Sequence, residues 1–187
     1  MATKLSIINA ALNYLGNPSF QTLDVANPLL SAMSNIYELI KPDLLAAHPW
    51  TFSTKWFNLV KKSNTSPNDR YNYTYNMPPD VVRVWETYPN ANYQIVGDEV
   101  LCNVSQNWQW RYVYDSAEGN WSPGFVRLIT YALAAECATL VTETPQLAQF
   151  WGEKAEMQMG RARFVDSQSN PSNVMQNLGL IHAYYEV

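Results

Sequence analysis

The segment Leu44-Leu45-Ala46-Ala47-His48-Pro49-Trp50-Thr51-Phe52 constrains this chain more than any other. It closes a long amphipathic helix and opens an aromatic strand. Proline cannot continue a helix, and it pushes the residue before it towards extended geometry. The chain must therefore turn at His48-Pro49, with Trp50 and Phe52 following at once as anchors. His48 is read as part of this structural corner, its ring hydrogen-bonding a nearby backbone group and helping to end the helix. It lacks any ligand spacing that would suggest a metal.

Helical patterning occupies both ends of the chain. Leu5, Ile8, Leu12 and Leu15 share one face of a helix from about Lys4 to Leu15. Thr3 suits its N-cap and Gly16 its stop. A second helix begins at Asn27-Pro28, a cap residue followed by Pro at the first helical position. Leu29, Met33, Ile36, Ile40, Leu44 and Ala47 give its apolar stripe, and Pro42 predicts a kink. Ser122-Pro123 and Thr144-Pro145 repeat the cap-then-Pro device. The helix from about Pro123 to Val141 is apolar nearly all round, so it is expected at the centre of the bundle. The helix from about Pro145 to Asp166 presents Leu147, Trp151, Ala155, Ala162 and Val165 on one side, with its other face polar.

Between these helices the period drops to two. Tyr71, Tyr73 and Tyr75 alternate, as do Trp108, Trp110, Tyr112 and Tyr114, the pattern of half-exposed strands. Gly97-Asp98 suits a two-residue hairpin between Tyr93–Val96 and Glu99–Cys102. Lys61-Lys62 reads as a solvated strand end. The expected class is α+β: a bundle of about four helices, a small antiparallel sheet inserted between helix two and helix three, and an extended C-terminal tail. As a single domain, the chain divides into a bundle (1–49 and 121–166), a β module (50–116) and the tail (167–187). Beyond the linker-like stretch at 167–173, the tail carries Val174, Met175, Leu178, Leu180, Ile181, Tyr184 and Tyr185. Apolar residues there need a surface to bury against, on this subunit or a neighbour. His182 in the tail is read as an interface or surface residue.

Composition narrows the function. Charged residues are 15% of the 187, against about 25% in an ordinary globular protein, and aromatics are 13%. Depleted charge with abundant Tyr, Trp and Met is what interface cores show, although a large aromatic core gives similar totals. A net charge of −4 is not the footprint of a protein that grips phosphates. The N-terminus leads into a polar-striped helix and does not read as a signal peptide. The most apolar window, Phe125 to Val141, contains Arg127 and Glu136 and reads as too short to span a bilayer. Cys102 and Cys137 read as reduced, buried small hydrophobes of a cytosolic protein.

The chain carries no phosphate loop, dinucleotide turn, paired-cysteine motif or nucleophile elbow. No cofactor and no metal ligand set is assigned, and no catalytic residue. Glu136 in the apolar third helix would need a partner if buried, with Arg127, Arg161 and Arg163 as candidates. Sugar chemistry needs two carboxyl groups facing across a cleft. Asp69, Asp80, Asp98 and Glu99 do not discriminate by their presence alone. A carbohydrate-binding or carbohydrate-cleaving role requires Trp108, Trp110 or Trp121 to lie exposed beside two carboxylates. A third reading is a monomeric scaffolding module whose tail packs on its own core.

These pieces, in their order, resemble the head-to-tail adaptors of short-tailed bacteriophages, the tail tubular protein A family. The resemblance starts at Ala11-Leu12, Leu15-Gly16 and Leu23-Asp24, then Leu44-Leu45 leading to His48-Pro49-Trp50 and Phe52. It continues through Tyr73, Tyr75, Met77-Pro78, Asp80, Arg83-Val84, Tyr93, Val96-Gly97, Leu101, Tyr112 and Asp115. Phe125, Ala132-Leu133, Leu140, Ala162-Arg163 and Asp166 close it. The helix-ending His-Pro-Trp and the aromatic-x-aromatic-x-Met-Pro-x-Asp stretch are its more specific parts. The resemblance implies a non-enzymatic virion protein of the tail, assembled in the host cytoplasm. Such proteins form a homo-oligomeric ring, usually of twelve copies, between the portal protein and the tail nozzle protein. DNA passes through the bore without specific binding, and no membrane is involved. On that reading the tail residues Val174 to Tyr185 are candidates for the portal or neighbour contact. Asn64, Asn68, Arg70, Asn103, Gln106 and Asn107, in two polar loops, are candidates for the nozzle side.

Overall fold

The computed structural model describes residues 2–24, 26–63, 69–142 and 144–169. The fold is α+β. Among the described residues two helices, α1 (Lys4–Tyr14) and α2 (Pro28–Ala46), precede seven strands, and two more, α3 (Pro123–Thr142) and α4 (Pro145–Gln168), follow them.

Local chemistry sets the helix ends. Thr3 and Ser6 form a reciprocal capping box on α1. At its other end Gly16 adopts φ +78°, its N–H donates to the Asn13 carbonyl, and the Asn17 N–H reaches back to the Leu12 carbonyl. That pair of bonds is a Schellman motif, which needs a left-handed residue after the C-cap. Asn27 Oδ1 accepts from the Leu29 and Leu30 amides, and Pro28 opens α2. Helix α2 continues through Pro42, which is exposed together with Glu38 one turn before it. The carbonyl that Pro42 leaves without an intrahelical donor thus lies on the outer side. Ser122 Oγ accepts from the Phe125 amide, as its sequence position suggested. Thr144 departs from that expectation: its hydroxyl donates to the Thr142 carbonyl and makes no cap bond.

The strands form two antiparallel sheets where one was expected. The first orders β1 (Thr54–Asn58), β7 (Gln109–Tyr114) and β4 (Val81–Tyr88) with β7 in the middle. The second orders β2 (Lys61–Ser63), β3 (Tyr73–Asn76), β6 (Glu99–Cys102) and β5 (Tyr93–Val96). Gly97, at φ +62°, and Asp98 turn β5 into β6 with Val96 opposite Glu99. Two register shifts along β4 bend it against β7. The alternation of Trp108, Trp110 and Tyr112 points to the space between the sheets, where all three are buried with Tyr75, Val100 and Cys102.

The helices share a second hydrophobic cluster. Helix α3 packs against α1, α2 and α4. Trp50 and Phe125 sit at its strand-facing end, rings 5.0 Å apart, and Val113 of β7 joins the same cluster. By length and composition α3 is apolar enough to cross a membrane, its 20 residues containing an 18-residue window of mean hydropathy 1.4. This corrects the expectation that its window is too short. Packing on three sides accounts for its composition here. Glu136 is exposed on it, so the supposed need for a buried partner does not arise.

Two helix faces differ from the sequence reading. The most buried line of α2 is Leu30, Met33, Tyr37 and Leu45, rotated from the expected stripe. Tyr37 joins it because its hydroxyl donates to Glu118 at 2.9 Å. On α4 the buried residues are Gln158, Ala162 and Asp166, and Val165 is 63% exposed. The polar pair tolerates burial because Gln158 Nε2 donates to the Gly124 carbonyl and Asp166 accepts several bonds. The outer face of α4 is not uniformly polar: Phe150, Met157 and Phe164 all stand exposed on it.

Gly16→Ala places a side chain at a positive φ and should destabilise the protein by about 1 kcal/mol. Urea unfolding checks this, and an unchanged midpoint would remove Gly16 from the account of how α1 ends.

Candidate functional site: the helix–strand corner and the faces around it

The corner at His48-Pro49 is built from residues far apart in sequence. Trp50 Nε1 donates to the Leu44 carbonyl at 3.0 Å, turning the indole back under the end of α2. The final carbonyls of α2 find two arginines. Arg83 of β4 donates to Ala46 O and Arg163 of α4 to Ala47 O, both at 2.9 Å. Cations at a helix C-terminus also meet the negative end of its dipole.

Asp166 of α4 closes the arrangement. Its carboxylate accepts from the Thr51 amide at 3.1 Å, the Thr51 hydroxyl at 2.8 Å and His48 Nε2 at 3.2 Å. This corrects the expected partner of His48, which is a side chain from the last helix and not a local backbone group. Burial is the main influence on the His48 ring and lowers its pKa below the usual 6.5. Asp166 pulls it up and Arg163 pushes it down further, with burial prevailing. At neutral pH the imidazole is therefore neutral. Facing a carboxylate through Nε2, it carries its proton there and donates. The pair is a hydrogen bond rather than an ion pair.

A second polar cluster gathers on Asp80 of the Met-Pro-x-Asp stretch. Asp80 accepts from Lys55 Nζ at 2.6 Å and from the Tyr112 hydroxyl at 2.8 Å. Burial raises the Asp80 pKa, but these two donors and the Lys55 charge outweigh it and hold the carboxyl below its usual range. A third cluster links α2 to the segment leading into α3. Lys41 Nζ lies 2.7 Å from Asp115 and 3.8 Å from Glu118, and Glu118 also accepts from Tyr37. In all three clusters the carboxylate is held by donors from other elements. The chemistry they share is cross-linking of the fold.

The corner residues His48, Pro49, Trp50 and Phe52 come together as one unit with Phe125 and Trp121. Asn64, Asn68 and the tail residues Val174 to Tyr185 lie outside the described residues. Of the remaining loop candidates, Arg70 and Asn103 meet. Asn103 Oδ1 accepts from the Asn72 amide, and its Nδ2 donates to the Arg70 carbonyl, so Arg70 and the tip holding Gln106 and Asn107 share one exposed end.

The structure contradicts the sugar platform. Trp108 and Trp110 are fully buried and Trp121 is 6% exposed. Their alternation reflects packing between the sheets and beside the corner. Cys102 and Cys137 are free and buried, and burial pushes the Cys137 thiol up to about 12. Among the described residues no group of three His, Cys, Asp or Glu side chains is gathered as a metal ion would need. Beside the corner lies a cleft of about 450 Å³, lined in part by Thr51, Gly124, Gln158 and Asp166, with exposed Arg127 and Arg161. Its carboxylate and amide are already committed to Thr51, His48 and Gly124. Sequence reasoning missed the Asp166 hub, because nothing local marks an aspartate near a helix end as the acceptor for a turn more than 110 residues earlier.

The depressed His48 pKa gives a signed prediction. The unfolded ring takes up its proton near pH 6.5 and the folded ring only at lower pH, so the folded state loses stability as pH falls below about 6.5. His48→Gln should flatten the dependence of unfolding free energy on pH between 7 and 5. Equal slopes in both proteins would refute the buried neutral imidazole. No protein-family model and no curated protein matches this chain.

Proposed function

We propose that this chain is a structural adaptor of a short-tailed bacteriophage. Copies, twelve in number, would form a ring that joins the capsid portal to the tail nozzle and lets DNA pass. The role is geometric, with no reaction assigned. The observation that supports it best is the exposed apolar surface on a firmly cross-linked subunit. Leu39 (70% exposed), Tyr88 (67%), Phe164 (67%), Met157 (56%) and Trp56 (51%) all face outward. A low-charge protein with aromatic residues on several outer faces is suited to being covered by other proteins. The titratable clusters, meanwhile, are spent on holding its elements together. The resemblance of the corner and of the Met-Pro-x-Asp stretch to the adaptor family supplies the identity of the partners. The acidic balance is compatible with a bore through which DNA slides, since phosphates gain no counterion-release binding from it.

On this reading the loop end carrying Arg70, Asn103, Gln106 and Asn107 meets the nozzle, and the tail residues Val174 to Tyr185 meet the portal or a neighbouring copy. The competing role in carbohydrate binding or cleavage loses the exposed indoles it required. Light scattering on the full chain mixed with its cognate portal tests the adaptor reading. A stoichiometric, ring-sized complex is expected. A chain that ignores the portal at every mixing ratio would overturn it.

A further inference from the structure

Phe150, Met157 and Phe164 are 47%, 56% and 67% exposed and recur at intervals of seven along α4. Successive sevens drift only about 20° around a straight helix, so the three form one outer ridge about 21 Å long. Lys154 and Arg161 flank the ridge on one side, with the Lys154 ammonium 5.4 Å from the Phe150 ring centre. On its other flank Glu153 accepts from Gln149. On another side of the same helix lies a groove between α2 and α4. Two adjoining hollows of about 220 and 270 Å³ share Leu44 and Ala155, and Ile40, Ala132, Ala135 and Gly152 complete most of the lining. Asp43, Glu136 and Glu156 stand exposed at its rim.

We propose that the α4 ridge of one copy seats in the α2–α4 groove of the next. The inference rests on the ring reading above and deepens it by naming the contact between copies. Three observations on one chain carry it. Ridge and groove match in polarity, both apolar along their length. Their flanks are complementary in charge: Lys154 and Arg161 beside the ridge, three carboxylates around the groove. None of these five groups forms an ion pair among the described residues. Finally, Gly152 and Gly160 sit in the middle of α4, where glycine costs about 1 kcal/mol relative to alanine. A side chain added at either would meet nothing within 4 Å in the subunit, so internal packing requires neither. One lines the groove and the other lies between Met157 and Phe164, places where a second backbone can approach closely. At 100° per residue, Gly152 and Met157 point about 140° apart around the helix. The two surfaces of one copy therefore cannot both face the same neighbour, and the contact is head-to-tail, the kind that makes a ring when its rotation closes.

Sedimentation velocity on the full chain tests this with two variants. Gly152→Leu fills the groove where the free subunit has room. Met157→Asp with Phe164→Asp breaks the ridge at exposed positions. Gly152→Gln replaces the leucine variant should that one lose its helical circular dichroism. Wild type is expected to self-associate at high concentration, and each variant alone to associate at least tenfold more weakly. An equimolar mixture of the two variants should give a dimer that grows no further, one intact ridge in one intact groove. A wild type monomeric at all concentrations, or a mixture without dimer, would overturn this contact. The portal experiment would still decide the ring reading by itself. Conversely, head-to-tail dimers from a chain that ignores the portal would keep the contact and sink the adaptor.

Discussion

Asp166 stands near the end of the last helix, yet it accepts hydrogen bonds from Thr51 and His48, 115 and 118 residues earlier. The rest of the fold depends on this link. A carboxylate removed from water is unfavourable unless donors surround it, and here three are supplied by the turn that leads from α2 into the first strand. Bonds of this charge-assisted kind contribute about 1.5 to 3 kcal/mol each. Around them Arg83 and Arg163 satisfy the last carbonyls of α2, and Trp50 hooks back to Leu44. Three elements (α2, β4 and α4) thus converge on the turn that leads into β1.

That convergence explains how a protein with two hydrophobic clusters behaves mechanically. One cluster lies among the helices and the other between the sheets. Val113 of β7 reaches the helical cluster, while Tyr112 beside it faces the other. Adjacent residues on one strand serve both cores, because successive side chains on a strand point to opposite faces. With the corner locked and β7 shared, apolar faces on the outside keep fixed positions relative to one another. Fixed positions are what the proposed assembly role would need.

Much of the architecture was legible in the sequence. Capping residues, Pro at helix starts and the glycine turns placed the helices and the β5–β6 hairpin, since those signals are local. Facing was less legible. Tyr37, Gln158 and Asp166 are buried because each finds a partner in a distant element, and no periodicity records such a partner. The Phe150–Met157–Phe164 ridge was hidden because the charged residues interleaved with it made that face of α4 read as polar. The split into two sheets also escaped, because strand alternation shows which face is apolar and not which sheet a strand joins. The corner motif at His48-Pro49-Trp50 was recognisable, but its partner on α4 was not.

Hydrogen exchange at the Thr51 amide tests the central claim most directly, since that N–H donates to Asp166 and to no other acceptor in the turn. If the corner is the lock described here, Thr51 exchanges only as slowly as the α3 core amides, through opening of the whole molecule. Replacing Asp166 with Asn would then bring its exchange towards that of exposed loops. Fast exchange at Thr51 in the unaltered chain, beside a protected α3, would show that the corner opens by itself and would contradict the account.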